Sequence, residues 1–470
     1  MLFERIEDPG LAHYSYAVGC PEAGSLAIVD PRRDVDVYLE LAAARDLRIT
    51  HVLETHIHAD YASGARELAQ RSGAEHLVSA YDAGETYEAR FPHRDLADGD
   101  GVEIGSLRLA AVHTPGHTPE HLSFLVYDKT RSDSVPTRML SGDFLFVGSL
   151  GRPDLLGEEA KRELAERLFD SVRSRLTGLP DALEIHPAHG AGSMCGAGMS
   201  GEPSSTLGIQ RLANPHLDPR LTREEFVDRI LSTTPPFPDY YRRMKQLNAD
   251  GPPMLDGLPG LVPLSIEAFA ASIDDGETLM IDVRDPRAFS SGHIPGSFAI
   301  GVGNSLSTWA SWVVPYDRPI LLAASHPDDV EPAVRALVRV GLDDVRGYLD
   351  GGVQAWAAAG RPLAELPQIS VGALHGKLAA GEPVHVLDVR GDDEWTGGHI
   401  AGAQHLMGGY LPRRVDDVPD DGRPIVVTCR TGYRSTVAAS VLERAGRRRV
   451  LNLDGGMRAW TRAGLPVDAP

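Results

Sequence analysis

The chain has 470 residues, and at about 100–200 residues per domain this length predicts about three domains. Its composition, 42% hydrophobic and 24% charged, is that of an ordinary globular protein, and the formal net charge of −20 disfavours nucleic acids and anionic membranes as partners. Three widely spaced cysteines argue against a disulfide framework. The start lacks a basic-then-apolar leader and no apolar run is long enough for a bilayer, so we expect a cytoplasmic location.

The first stretch rich in chemistry is THIHADY, residues 55–61. It follows LRITHVLE, whose apolar and β-branched residues predict a strand, and the next segment, YASGARELAQRSG, predicts a helix that ends at Gly73. His56, His58 and Asp60 therefore lie at a strand-to-helix crossover, where α/β proteins usually place their chemistry. Taken alone, this stretch is consistent with a metal site or with a solvated loop.

Three later segments repeat the pattern of a predicted strand that ends in metal-binding side chains. Two strands flank HTPGHT, which contains His113 and His117, and another strand ends at Asp143 in TRMLSGDFLFVG. A further strand, in ALEIHPAHG, is followed by His186 and His189. One histidine at a strand end is usually an ordinary polar residue, but four successive strand ends with His or Asp favour a metal site.

The motifs THIHADY, TPGHT, SGD and HPAHG, in this order, resemble those of the metallo-β-lactamase superfamily over about residues 1–245. Within that superfamily the chain is most similar to glyoxalase II and the persulfide dioxygenases. A binuclear zinc hydrolase of this family reads His-x-His-x-Asp-His, whereas the last position here is Tyr61. Because a phenol replaces an imidazole, the second metal site loses a ligand, and we expect a single metal ion.

Persulfide dioxygenases hold their metal with two histidines and a carboxylate, which carry over as His56, His117 and Asp143. Such a set suits non-haem Fe(II), so the resemblance implies one Fe(II) per chain, with open positions for a persulfide sulfur and O₂. The resemblance also implies a supporting shell that orients ligands or waters, made of His58, Asp60, Tyr61 and His189. A hydrolase would instead use His58 as a ligand.

Two residues near these motifs have two interpretations each. Arg152, in GSLGRPDL, resembles the arginine of a GRxD stretch that helps persulfide dioxygenases hold their thiol cosubstrate, and its guanidinium could fork onto a substrate carboxylate. An ion pair with a nearby acid is equally consistent. Cys195, six residues after His189 in a glycine-rich loop, is either a thiol that accepts or relays sulfur or a small buried apolar residue.

The second half of the chain contains a duplication. IDVRDPRAFSSGHIPGS at 281 returns as LDVRGDDEWTGGHIAGA at 387, and YLDGGVQAWAAAGRPL at 348 returns as NLDGGMRAWTRAGLPV at 452. Each copy alternates apolar strands with helical stretches, which predicts a parallel sheet covered on both faces. NADGPPMLDGLPG is rich in Gly and Pro and predicts a linker. The predicted segments are 1–247, a linker at 248–260, 261–365 and 366–470.

The second copy carries a cysteine at the end of a strand. RPIVVTC ends at Cys429, and the loop that follows closes into a helix at about Ser435. Such a loop can direct backbone N–H groups at the sulfur from the positive end of the helix, and Arg430 and Arg434 add positive charge. These features favour a thiolate or a persulfide anion on Cys429 over a buried structural cysteine.

The motifs DVR, EWxxGHIxG, CRTGYRS and LDGGMRAW resemble those of the rhodanese sulfurtransferases over about residues 366–470. The resemblance implies that Cys429 is the sulfur-carrying nucleophile. It also implies a cradle with Arg430 and Arg434 as catalytic residues and three substrate-binding residues: Thr431, Gly432 and Tyr433. In the first copy the same place reads AASHPDDVEPA, with alanine or serine for the cysteine and Asp328 and Asp329 for the arginines. We therefore expect the first copy to be an inactive rhodanese fold.

The predicted fold class is a mixed α/β and α+β multidomain chain, an αββα metallo-β-lactamase sandwich followed by two rhodanese-like α/β domains with parallel sheets. This architecture resembles the fused persulfide dioxygenase–rhodanese proteins of bacterial sulfide detoxification. It implies that O₂ oxidises a low-molecular-weight thiol persulfide, such as glutathione persulfide, to sulfite. It also implies sulfur transfer through a Cys429 persulfide, with thiosulfate chemistry, and a homo-oligomer (dimer or tetramer). The alternatives are a zinc-dependent glyoxalase II-like thioester hydrolase joined to a rhodanese and a non-catalytic sulfur-relay protein that binds persulfide.

Overall fold

The computed structural model describes residues 1–274 and 276–468. Position 275 of the first predicted copy and the last two positions of the second lie outside the described residues. The chain divides into two compact units, and the first comprises Met1–Gly257 with Val338–Gly341. The second comprises the rest of the described chain and holds both copies of the duplication.

The first unit contains two large mixed sheets and the helices that cover them. Its strands are β1 Leu2–Asp8, β2 His13–Cys20, β3 Ser25–Val29, β4 Arg48–Leu53, β5 Glu75–Ser79, β6 Arg94–Leu96, β7 Gly101–Ile104, β8 Leu107–His113, β9 Leu122–Asp128, β10 Arg138–Gly142, β11 Leu145–Phe146, β12 Ser149–Leu150, β13 Glu184–Pro187 and β14 Ser205–Thr206. Its helices are α1 Asp36–Ala44, α2 Ala65–Ser72, α3 Lys161–Arg175, α4 Leu207–Ala213, α5 Arg223–Ser232 and α6 Tyr240–Asp250, with a 3₁₀ turn at Pro21–Ala23.

The two sheets pack face to face between two helical layers. Their strand orders are β1-β2-β3-β4-β5-β6 and β14-β13-β10-β9-β8-β7. Alternating apolar residues of both sheets, among them Val29 and Phe124, form a shared buried core. Tyr38 of α1 and Leu68 of α2 pack on the outer face of the first sheet, and Leu168 of α3 packs on that of the second. The predicted αββα sandwich is confirmed.

The candidate residues follow the ends of the strands, as the sequence predicts. The THIHADY stretch comes directly after β4, HTPGHT joins β8 to β9, Asp143 follows β10, and His189 follows β13. Helix α2 ends at Ser72 and is capped by Gly73, whose φ of +71° is a left-handed conformation that glycine adopts without strain. The predicted end of this helix is therefore confirmed.

Helix α6 runs three residues into the segment predicted as a linker, 248–260, and ends at Asp250. The reason is Asn248, which is buried. Its amide donates to the carbonyl oxygens of His58 and Tyr61, both at 2.8 Å, and accepts from the N–H of Ser63 at 2.8 Å. These long-range bonds stabilise the last helical turn against the local preference of the sequence. The helix therefore overlaps the first three residues of the predicted linker, whose bounds stay a prediction.

The second unit contains two parallel sheets with helices on both faces. Its strands are β15 Pro263–Leu264, β16 Leu279–Asp282, β17 Phe298–Ala299, β18 Ile320–Ala323, β19 Val345–Leu349, β20 Gln368–Ile369, β21 His385–Asp388, β22 Gln404–His405, β23 Ile425–Thr428 and β24 Val450–Leu453. Its helices are α7 Ile266–Ile273, α8 Pro286–Ser291, α9 Leu306–Val313, α10 Val330–Val338, α11 Gly352–Ala358, α12 Val371–Ala379, α13 Asp392–Thr396, α14 Tyr433–Arg444 and α15 Gly456–Arg462, with 3₁₀ turns at Pro327–Asp329, Gly408–Arg413 and Val415–Asp417.

The duplication appears as two sheets with the same topology, β15-β19-β18-β16-β17 and β20-β24-β23-β21-β22. The repeated DVR motif has the same structural role in each. Arg390 binds the Asp388 carboxylate through Nε and Nη2, and Nη2 also donates to the carbonyl of Gly398 at 2.8 Å. Arg284 and Asp282 make the equivalent contacts in the first copy. The motif thus fixes the loop after the second strand of each sheet, and both predicted parallel sheets are confirmed.

Candidate active sites

Three predicted ligands converge in the first unit. His56 is buried, and His117 and Asp143 have no exposed surface. One donor atom from each residue lies within 4.8 Å of the other two, and His117 Nε2 is 3.2 Å from Asp143 Oδ2. The loops after β4, between β8 and β9, and after β10 bring these side chains together.

Hydrogen bonds to Nδ1 orient both histidine rings and leave Nε2 of each ring without a proton. Thr55 Oγ1 donates to Asp30 Oδ2 and accepts from His56 Nδ1, both at 2.9 Å. His117 Nδ1 donates to the carbonyl oxygen of Arg152 at 2.8 Å. Burial lowers the pKa of both rings well below the usual value, and nearby cationic side chains lower it further. Each ring is therefore neutral and presents a lone pair to the cluster.

The donor atoms of this cluster have no partner among the described residues. Nε2 of both histidines and both carboxylate oxygens of Asp143 are buried without a hydrogen bond. Burial raises the pKa of Asp143 to about 6, so the carboxylate is mostly ionised at neutral pH. A lone pair and a carboxylate oxygen 3.2 Å apart repel each other unless a cation lies between them. The three residues therefore fit a divalent metal ion with open coordination positions.

His58 lies beside this cluster and is held by a different acid. Its Nε2 is 3.1 Å from Asp30 Oδ1. Burial alone lowers the pKa of His58, but the Asp30 carboxylate, followed by Asp60 and Glu54, raises it to about 9. His58 Nε2 is thus paired with Asp30, while its Nδ1 is buried without a hydrogen-bond partner among the described residues. The supporting role of His58 stays a prediction.

His121 is a supporting residue to which the sequence motifs gave no role. Its Nε2 accepts the backbone N–H of Asp143 at 3.0 Å, and its Nδ1 contacts Thr114 Oγ1 at 2.9 Å. Gly151 supports the same region, since a Cβ there would collide with the Asp143 carbonyl oxygen and lie 2.9 Å from His117 Nδ1. The spacing HTPGHTPEH in the sequence is the only local signal that could have pointed to His121.

A second cluster adjoins the first. Donor atoms of Asp60, His189 and Cys195, all buried, lie within 4.8 Å of one another. His189 Nε2 is 3.3 Å from Asp60 Oδ2 and 3.6 Å from Asp143 Oδ1. The hydroxyl of Tyr61 donates to the backbone carbonyl of Asp30 at 3.3 Å. The phenol therefore does not replace the imidazole that a binuclear site would have at this position.

Cys195 is completely enclosed. Burial raises the pKa of its thiol well above the usual value, and the carboxylates of Asp60 and Asp143 raise it further. Its Sγ lies 3.7 Å from the hydroxyl of Tyr241 on α6. The thiol is thus buried and also lies beside the ligand cluster, and a role in accepting or relaying sulfur stays a prediction.

Arg152 uses all five of its side-chain N–H groups within the protein. They donate, at 2.7–3.2 Å, to both carboxylate oxygens of Asp154 and to the carbonyl oxygens of Met194, Pro235 and Pro236. The guanidinium is buried and has no donor left for a substrate carboxylate. Its contacts match the ion-pair interpretation, and the substrate-binding role of Arg152 stays a prediction. Arg152 holds three loops around His117 and Cys195.

The candidate sulfur-transfer loop lies in the second unit. Cys429 is buried at the end of β23, where its Sγ accepts the Gly432 N–H at 3.1 Å and lies 3.3 Å from Ser435 Oγ. Helix α14 begins at Tyr433, two residues before the predicted start. Arg434 binds Glu394 through two N–H···O bonds of 2.5 and 2.8 Å, while Arg430 is exposed. Arg434 therefore shapes the loop through Glu394.

The first copy lines one side of a cleft beside this loop. The Tyr433 hydroxyl donates to the carbonyl of Gly301 at 3.0 Å, and burial raises the pKa of Tyr433. The cleft has a volume of about 660 Å³. Its lining includes Thr431, Gly432 and Tyr433 from the second copy and Asp285, Arg287 and Ser290 from the first.

Ala324 takes the place of the cysteine in the first copy. It follows β18 as Cys429 follows β23. In both copies a glycine of the LDGG motif lies close to the backbone of this position. A Cβ at Gly352 would lie 2.7 Å from the Ala324 carbonyl oxygen, and a Cβ at Gly456 would overlap the Cys429 carbonyl oxygen. The first copy has therefore kept the fold and lost the nucleophile, as the sequence predicts.

Among the helices of the described residues, none combines the length and the apolar composition needed to cross a bilayer.

The metallo-beta-lactamase superfamily model matches residues 8–189, and the rhodanese-like domain model matches residues 265–359 and 370–463. The first match covers the segment with the histidine and aspartate clusters, and the second covers the two copies of the duplication, including the Cys429 loop.

Three relatives illustrate the similarity. A crystal structure of a metallo-beta-lactamase from Staphylococcus aureus is 34% identical with a TM-score of 0.66, covering 74% of this chain and 98% of that one. The mitochondrial persulfide dioxygenase ETHE1 of Bos taurus is 28% identical over 48% of this chain and 79% of its own length. A hydroxyacylglutathione hydrolase of Anaeromyxobacter dehalogenans is 35% identical over 40% of this chain and 65% of its own length. The chain belongs to the metallo-β-lactamase superfamily, with a domain homologous to ETHE1 persulfide dioxygenases followed by two rhodanese-like domains.

Proposed function

We propose that this chain oxidises low-molecular-weight thiol persulfides, such as glutathione persulfide, with O₂ to sulfite, and moves sulfane sulfur through Cys429 in sulfide detoxification. The observation that carries the proposal is the cluster of His56, His117 and Asp143, whose buried donor atoms lack partners among the described residues. Tyr61 stands where a binuclear hydrolase would have another ligand. The similarity to the ETHE1 persulfide dioxygenases supports the same conclusion.

The residues around this cluster fit Fe(II), one ion per chain. Bound there, Fe(II) would supply redox chemistry and open positions where a persulfide sulfur and O₂ meet. The reaction is RSSH + O₂ + H₂O → RSH + SO₃²⁻ + 2H⁺: the S–S bond breaks, the sulfane sulfur is oxidised and O₂ is reduced. Thr55 and the carbonyl of Arg152 keep the two histidine lone pairs free, and His121 orients Asp143.

The rhodanese half supplies the second reaction of the proposal. A Cys429 persulfide gives its outer sulfur to sulfite, as Cys–S–S⁻ + SO₃²⁻ → Cys–S⁻ + S₂O₃²⁻. The Gly432 N–H donates to the sulfur at 3.1 Å, and the Ser435 hydroxyl lies 3.3 Å from it. Arg434 holds the loop, and the exposed Arg430 adds charge beside it. The predicted cytoplasmic location and homo-oligomeric assembly (dimer or tetramer) belong to this proposal.

A second candidate is a zinc-dependent thioester hydrolase of the glyoxalase II type joined to a rhodanese. The cluster of Asp60, His189 and Cys195 favours it, because these side chains could hold a second ion next to Asp143. The similarity to a hydroxyacylglutathione hydrolase points the same way.

Metal analysis combined with two assays separates the candidates. The dioxygenase proposal expects iron in the purified protein, O₂ uptake with glutathione persulfide, and no hydrolysis of S-acylglutathione. Zinc with thioester hydrolysis and without O₂ uptake would establish the hydrolase instead. Persulfide binding without either reaction would identify a sulfur-relay protein.

A further inference from the structure

Lys245 is a buried ammonium that the reactions above do not use. It lies on α6 and is 1% exposed. Its nearest acid is Glu120, but Nζ is 3.9 Å from Glu120 Oε1, too far for a hydrogen bond, and that oxygen already accepts the Ile57 N–H at 3.0 Å. Within residues 1–274 and 276–468, no hydrogen bond to Lys245 Nζ is found. The ammonium therefore has N–H donors available for an anionic ligand.

The position of Lys245 on α6 places it at the reacting end of the site. Tyr241, Lys245 and Asn248 are spaced four and three residues apart and share one face of the helix. Tyr241 contacts the thiol of Cys195, and Asn248 holds the backbone of the THIHADY stretch. Lys245 Nζ also lies 5.3 Å from the ring centroid of Tyr87.

The contacts of Glu120 place Lys245 beside the metal cluster. Glu120 Oε1 lies 3.9 Å from Lys245 Nζ and accepts the N–H of Ile57, the residue between His56 and His58. Burial has the largest effect on the pKa of Lys245 and leaves it below its usual value, while Glu120 raises it. One side chain therefore connects the ammonium to the loop that carries His56.

We propose that Lys245 is the anion-recognition residue of the metallo-β-lactamase-like domain, and that its ligand is a small sulfur oxyanion of the sulfite class. The inference rests on the proposed function and deepens it. Three N–H donors on a compact point charge suit the three oxygens of sulfite better than a planar carboxylate, which Arg residues bind in a fork. Glu120 balances the ammonium when no ligand is bound and limits how tightly the product is held.

The test is calorimetric titration with sulfite of the full-length protein, with its metal as isolated, under anaerobic conditions. Cys429→Ser serves as the background, which removes the other site where sulfite reacts. We expect saturable binding of one sulfite and, in Lys245→Met, an affinity about 10- to 100-fold lower, as for loss of charge-assisted hydrogen bonds. Lys129→Met is the matched control, because Lys129 is 37% exposed and pairs with Glu103 at 2.6 Å; its affinity should equal that of the background.

A second variant keeps the proposal testable if Lys245→Met does not fold. Glu120→Gln removes the competing negative charge and should bind sulfite more tightly than the background protein. Absence of saturable sulfite binding, equal affinity in Lys245→Met, or no gain in Glu120→Gln would each overturn the proposal. It would also be overturned if Lys245→Met weakened binding of glutathione alone and not of sulfite. Because neither O₂ nor persulfide is present, these results are independent of whether the protein is a dioxygenase.

Discussion

The contact between Thr55 and His56 gives a prediction that isolates one hydrogen bond of the proposed metal site. Thr55 Oγ1 accepts from His56 Nδ1 and donates to Asp30 Oδ2, both at 2.9 Å. Thr55→Val keeps the branched shape of the side chain and removes both bonds. His56 then loses the acceptor that fixes its ring, so we expect metal affinity to fall about 10- to 100-fold, or about 1.4–2.7 kcal/mol.

The same strand region offers a matched control. Thr50 Oγ1 lies 2.9 Å from His51 Nδ1 and donates to the Leu26 carbonyl at 3.3 Å, so Thr50→Val also removes a Thr–His contact. His51 is not part of either ligand cluster. Competition with a chromophoric chelator should show weaker metal binding in Thr55→Val alone, with thermal unfolding recorded for both variants. Equal metal affinities in the two variants would refute the reasoning about the His56 ring.

Three further predictions concern separate parts of the chain. Cys429→Ser should abolish thiosulfate formation and leave O₂ uptake with glutathione persulfide unchanged; loss of both activities would contradict two separable sites. Gly151→Ala should lower bound metal, measured by elemental analysis, at least 10-fold, since a Cβ there collides with the Asp143 carbonyl. Gly201→Ala, where a Cβ meets no atom within 4 Å, should not lower it, and equal metal contents would count against the argument. Tyr61→His should raise the metal content from about one to about two ions per chain, because it restores a binuclear ligand pattern; an unchanged content would show that Tyr61 does not set the stoichiometry.

The parts of the site that could be predicted from sequence are those tied to the ends of strands. His56, His117 and Asp143 each follow or join a strand with a clear apolar pattern, although these strands belong to two sheets. The αββα fold and this choice of three ligands came from the resemblance to the metallo-β-lactamase superfamily and its persulfide dioxygenases. The parallel sheets of the second half followed from the strand pattern and the duplication.

The residues that sequence reasoning missed act across large separations. Asn248 binds the backbone of His58, 190 residues away in the sequence, and so extends α6 into a Gly- and Pro-rich segment. Arg152 was singled out from its motif, but its contacts with carbonyl groups up to 84 residues away could not be read from that motif. Lys245 shows no local motif at all. Only the packing of α6 in the folded unit reveals these contacts.

The most direct test of the central claim is to measure metal content and O₂ consumption on the same purified sample with glutathione persulfide. The account predicts about one iron per chain, one O₂ consumed for each persulfide oxidised, and an equal amount of sulfite formed in the Cys429→Ser variant. Two zinc ions per chain, no O₂ uptake and hydrolysis of S-acylglutathione would contradict it.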